Sequence, residues 1–530
     1  MNPLAALIYK QQRRGAVLWG CVFGTFVWVS AYGFAAAYPR QSDRLNFART
    51  LGSNAGIRAL FGPARHIETV QGFTAWRCQT SFAVIGAVWG LLLATKILRG
   101  DEEAGRADLF YAGPFTRASG IGALVQGLGL VWAVLFSTVA LCIVSVGLIG
   151  GYFSWTAALW FAVVSCGSAA MFLAIGAVTS QLTSTRRAAS AIGGALLGGA
   201  VIVRAIAESV QGAHWLRWAS PIGWLDKLHP LTGTNAAPLA LVALVAVGAA
   251  ALAMVLARRR DLGAGILPSR DTSDAHTALL SSPARLTFRL TRGNTLGWMV
   301  GVTLGAAVFG IVSSSISSSL ADNKAVTDIF ARLGAQLSAR GYVGITFVML
   351  SALLALTAAT FVSGGRAEEA DGRLEYLTSA PVLRWRWLGG RTMVAALSLV
   401  AIGVVAGAGG WVGVRMSGGS ISFGRMVLAG LNIVPPGLLV LGLGTLAHGV
   451  AARTATAVAY AAVAWSFLLE MVGALVKLNH FVLDTSIIHH IAAAPAADPR
   501  WDAALVMIAV GALAAAGGAV ALGRRDLVMA

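Results

Sequence analysis

Apolar residues run in long blocks along this chain, interrupted at fairly regular intervals by short clusters of Arg, Lys, Asp and Glu. A bilayer's hydrocarbon core is about 30 Å thick, so a helix rising about 1.5 Å per residue crosses it in roughly 20 apolar residues. Segments 16–37, 236–257 and 343–363 reach that length without a charged side chain. The blocks predict twelve helices, near 16–37, 79–98, 119–149, 155–183, 187–208, 236–257, 295–315, 342–363, 391–413, 424–450, 454–477 and 502–522. Pro435-Pro436 falls inside the tenth. Two missing backbone donors should break that helix where neighbouring helices shield the freed carbonyls.

Composition turns this pattern into a fold class. Hydrophobic residues make up 57% and charged residues 12%, against about a quarter charged in soluble domains, and mean hydropathy is +0.73. The chain reads as an all-α integral membrane protein. Its 63 glycines suit close helix approach in lipid. A net charge of +18 raises nucleic acid as a partner. The cations punctuate apolar blocks instead of forming a basic face on a polar domain, which excludes that class. The positive-inside rule places Arg258, Arg259, Arg260, Arg366, Arg373, Arg524 and Arg525 on the inner side, with both termini cytoplasmic. The outer loop 38–78 is rich in Arg, but a loop that long says little about orientation. Neither the four cysteines nor the N-terminal segment suggests a disulfide, a metal site or a cleavable leader.

The two halves repeat an unusual punctuation. Gly105-Arg106-Ala107-Asp108-Leu109 is followed by Pro114 and Arg117; Gly372-Arg373-Leu374-Glu375-Tyr376 is followed at the same spacing by Pro381 and Arg384. Arg259-Arg260-Asp261-Leu262 follows the sixth helix and Arg524-Arg525-Asp526-Leu527 the twelfth. This predicts a six-helix half over 1–257, a cytoplasmic linker with a short amphipathic helix over 258–294, and a second half over 295–530. Six helices preserve orientation, so the halves should be related by a pseudo-two-fold axis along the membrane normal.

The candidate site is the repeated segment between the second and third helices of each half: Glu102, Glu103, Gly105, Arg106, Asp108 and Pro114, then Glu368, Glu369, Gly372, Arg373, Glu375 and Pro381. Acids at the front favour the positive end of a short surface helix, and the proline stops it. Two charges also lie deep in pseudo-equivalent helices, Arg204 in the fifth and Glu470 in the eleventh. Each costs a few kcal/mol in hydrocarbon unless paired, which predicts an Arg204–Glu470 pair between the halves. No GxxxxGK[ST] phosphate loop, GxSxG elbow or HExxH helix occurs. His489 and His490 lack an evident third ligand and read as capping or interfacial residues.

The acidic–Gly–Arg–acidic–Leu–Pro segment, Ser220-Pro221-Ile222-Gly223-Trp224 before the sixth helix, and the Arg-Arg-Asp-Leu closing each half resemble fused double-length ABC-2 type exporter permeases, related to polyketide and tetronasin antibiotic exporters. Half two departs from the Ser-Pro form at Ser486-Ile487-Ile488-His489-His490. The resemblance implies a bacterial plasma-membrane permease for hydrophobic or amphiphilic antibiotic-like compounds. It further implies docking of two copies of a cytoplasmic ATPase under the two acidic segments. ATP and Mg2+ would sit on that partner, with no cofactor in this chain. An ion- or proton-coupled secondary transporter is the alternative; it should carry several buried acids, of which only Glu470 is evident.

Overall fold

The twelve apolar segments all form helices long enough to cross a membrane, and no strand occurs among the described residues. The structure, a computed structural model, describes residues 2–52, 62–111, 117–209, 212–267, 279–319, 338–379, 382–475 and 479–526. The spans of the first half are α1 (Pro3–Ala37), α2 (Val70–Thr95), α3 (Arg117–Gly150), α4 (Trp155–Leu182), α5 (Arg186–Ser209) and α6 (Ala237–Ala257). Those of the second are α7 (Pro283–Ser319), α8 (Ala339–Ala370), α9 (Arg384–Met416), α10 (Phe423–Asn432 continued by Val434–Val450), α11 (Ala452–Leu475) and α12 (Trp501–Arg524).

Both halves start earlier than hydropathy indicates. Asn2 accepts from the Leu4 amide at 3.0 Å and Pro3 takes the first helical position, so α1 begins there. Leu4, Ala5 and Ile8 are buried while Lys10, Arg13 and Arg14 face out. Pro283 opens α7 in the same way, beside Ser282, which accepts from the Arg285 amide. The amphipathic helix expected as part of a separate linker is therefore continuous with the seventh span. At Pro435-Pro436, α10 does break: its first segment stops at Asn432 and the second starts with the prolines in its first turn. The buried Asn432 amide donates to Ala492 O at 2.8 Å.

The chain divides into two compact units, Met1–Ser273 and Asp274–Ala530. In the first, α1 packs on α3, α2 on α4 and α5, and α4 on α3, α5 and α6. In the second, α7 packs on α9, α8 on α10 and α11, and α10 on α9, α11 and α12. Phe23, Phe82 and Phe161 stack through the first core, with centroids 4.4 and 6.3 Å apart. In the second, α10 approaches α12 closely. A Cβ at Gly442 would lie 2.1 Å from Gly511 O, and one at Gly449 would lie 2.0 Å from Gly518 O. Neither backbone can yield to a side chain. Gly449→Val is expected to push the helices apart and cost about 1–3 kcal/mol, read as a lowered thermal midpoint of the purified protein.

Candidate functional site

Even-numbered helices of each half end on the same side, and their last carbonyls have no intrahelical partner. In the first half Arg260, just past α6, organises the chain around those ends. It grips Glu102 through two parallel hydrogen bonds of 2.7 Å, donates from Nε to Gln181 Oε1 at 2.7 Å, and donates to Ala264 O at 2.9 Å. Gly263 N adds a 2.7 Å bond to Glu102. Arg99, fully buried, lies 3.2 Å from the same carboxylate and donates to the carbonyls of Ser184, Gly263 and Ala264. Ile266 N and Leu267 N then bond the last carbonyls of α4. One carboxylate and two guanidiniums thus tie together the ends of α2, α4 and α6.

The second half builds the same clamp from Glu369 and Arg525, with hydrogen bonds of 2.7 and 2.8 Å. Arg525 also donates to His448 O and Gly449 O at the end of α10, a cation on the negative pole of that helix. His448 Nε2 lies 2.8 Å from Glu369, and Trp387 packs edge-on against its ring. Glu369 is completely buried. His448 stands where Gln181 stands in the first half, so an amide on one side corresponds to an imidazole on the other. Arg391 of α9, 2.7 Å from Glu368, has no cationic counterpart at position 124.

These clamps correct the expectation for the acidic segments. Asp101–Glu103 does not begin a surface helix: α2 continues through a wide π-turn (Lys96–Gly100) into those residues, and α8 runs unbroken to Ala370. The turn comes at Gly105 and Gly372, both at φ +72°, where a side chain would be strained. Short helices then start at Arg106 and Arg373, with Asp108 and Glu375 in their positive first turns. Glu102 and Glu369, expected to meet a partner, are consumed inside the protein. Glu103, Arg106, Asp108, Arg373 and Glu375 are exposed, as is Tyr376. Glu103 also accepts from the Arg186 amide at the start of α5, Arg106 pairs with Asp101 at 2.6 Å, and Arg373 pairs with Asp371. Buried Leu374 anchors the second short helix beside Trp387, Leu388 and Leu522. Pro114 and Pro381 lie outside the described residues.

At the opposite end, Arg204 and Glu470, expected to pair with each other, each have partners within their own half. Arg204 Nε lies 2.5 Å from Asp226, and Nη2 donates to Thr80 at 2.7 Å. Glu470 lies 3.2 Å from Ser486 Oγ and 3.5 Å from His489 Nδ1. That hydrogen bond holds the His489 imidazole above its ordinary pKa. Ser486 nevertheless repeats the work of Ser220. Ser220 reaches Ala200 O and caps Gly223 N; Ser486 reaches Ser466 O and caps His489 N. Gln181, His448 and Asp226 are missed from sequence, and Arg260 and Arg525 stand out there only as repeated endings of the halves, although one Glu and one Arg recur in both halves at nearly the same separation.

A family profile described as "Multidrug efflux system permease Rv1217c, C-terminal domain" matches residues 2–258 and 280–522. The multidrug efflux system permease protein Rv1217c of Mycobacterium tuberculosis (strain ATCC 25618 / H37Rv) is 28% identical over 498 residues, covering 92% of this chain and 88% of that protein. Twelve apolar helices, a transport family and charge clusters spent on joining helices fit a multi-pass transport subunit and not an enzyme. This chain belongs to the multidrug efflux system permease family that the profile describes.

Proposed function

We propose that this chain is the permease subunit of an ATP-driven bacterial exporter, built by duplication of a six-helix ABC-2 type unit. It lies in the plasma membrane with both termini in the cytoplasm. Hydrolysis belongs to a separate ATPase, two copies of which dock under the two short helices and carry the ATP and Mg2+. The compounds exported are hydrophobic or amphiphilic and antibiotic-like.

The observation that supports this most is the repeated pairing of an exposed charged helix with a buried clamp. Asp108 and Glu375 are exposed, while Glu102–Arg260 and Glu369–Arg525 fasten the preceding corner to the ends of three spans. A push on either short helix would move those ends together instead of bending a loop, which is what coupling to a closing ATPase pair requires.

Co-expression with the cognate ATPase and mass measurement of the purified complex tests this. The expected result is two ATPases per permease. The variant combining Asp108→Lys with Glu375→Lys is expected to lose the ATPases while remaining folded, because both clamps stay intact. One ATPase per permease, none, or unchanged assembly in the variant would contradict the proposal.

A further inference from the structure

The second half contains a cavity of about 320 Å3 at the end opposite its clamp, within the size range of small-molecule sites. Ile345, Val348 and Met349 of α8 form its apolar wall. Met349 precedes Glu369 by 20 residues of continuous helix, about 30 Å at the usual rise. The cavity therefore sits one hydrocarbon thickness from the clamp, at the far membrane boundary. Glu470 contributes a carboxylate whose side chain is 8% exposed. Among the described residues, the cationic group set within 4 Å of that carboxylate is the His489 imidazole, itself 38% exposed at the cavity rim.

A buried carboxylate with an apolar wall on one side and a removable, titratable partner on the other is a site for a bulky cation. We propose that this cavity binds organic cations, with the apolar groups against α8 and the positive charge on Glu470 in place of His489. This rests on the export reading only for the direction of travel, and it narrows the hydrophobic or amphiphilic compounds of that reading to organic cations.

The charge environment fixes a pH dependence. Glu470, Asp484 and Arg500 act on His489, Asp498 and Arg500 line the same cavity with opposite charges, and the His490 ring stands 6.3 Å away. The raised His489 value means the imidazolium is present below that pH and occupies Glu470. Above it the neutral ring leaves the carboxylate to the ligand, so affinity rises with pH.

Equilibrium binding of tetraphenylphosphonium to the full-length permease in lipid nanodiscs, without ATPase or nucleotide, tests the site. Tetraphenylborate, of the same shape and opposite charge, and empty nanodiscs are the controls. Saturable one-to-one binding of the cation but not the anion is expected. Glu470→Gln should weaken it at least tenfold, and so should Met349→Trp, which fills the cavity without touching a charge and serves if the first variant does not fold. His489→Asn should abolish the rise of affinity with pH. Equal binding of anion and cation, absence of saturable binding, or wild-type affinity in either folded cavity variant would overturn the proposal. Because no ATPase is present, those results would leave the stoichiometry of the exporter complex to stand or fall separately.

Discussion

Replacing Glu369 with alanine is expected to destabilise the second half by about 3–5 kcal/mol, the cost of leaving a buried charge without its partner. The carboxylate is fully buried and holds both Arg525 and His448. Its removal leaves the Arg525 guanidinium facing the end of α10 with no counter-charge. Glu102→Ala should act similarly in the first half, since Arg99 and Arg260 both converge there. The combination Glu369→Leu with Arg525→Met should recover part of the loss, because no unpaired charge remains. Thermal unfolding of the purified variants reads both effects. A Glu369→Ala protein melting with the wild type would show that the clamp does not hold the helix ends together.

Asp226→Ala is expected to be the other severe change, again about 3–5 kcal/mol. Arg204 is 1% exposed and cannot shed its charge, so losing Asp226 removes the carboxylate 2.5 Å from its Nε and leaves a buried cation without that counter-charge. Arg204→Ala should be milder, since a carboxyl group can take up a proton. Glu470→Ala should be milder still, because its partner His489 can become neutral. Combining Arg204→Glu with Glu470→Arg should give no rescue beyond the worse single variant. Recovery toward wild-type stability in that swap would restore the cross-half pair inferred from helix depth.

Spans were legible because crossing a membrane is a local property: about 20 consecutive side chains decide it, and all twelve blocks became helices. The break at Pro435-Pro436 was legible for the same reason, since missing donors act on the adjoining turn. The start at Pro3 was not, because its amphipathic turns are too polar to register as membrane helix and are held by packing of Leu4 and Ile8; before the seventh span an amphipathic helix was expected, but not its continuity with that span. The acidic segments illustrate a different failure. Their recurrence marked the right place, but sequence cannot separate a carboxylate turned inward from one turned outward. Glu102 and Glu103 are neighbours, yet one is locked to Arg260, 158 positions away, while the other is exposed. Arg204 was recognised as costly, and its depth was matched to Glu470. Asp226 was overlooked because it lies in the short helix after Ser220, outside any apolar block.

The most direct measurement is transport by the permease reconstituted with its ATPase in sealed proteoliposomes, with the ATPase face outward and a fluorescent amphiphilic substrate outside. Substrate should accumulate inside on addition of ATP and Mg2+, stop with a Walker-lysine variant of the ATPase, and ignore an imposed proton gradient. Accumulation by the permease alone, driven by that gradient and lost in Glu470→Gln, would contradict ATP-driven export and identify a secondary transporter instead.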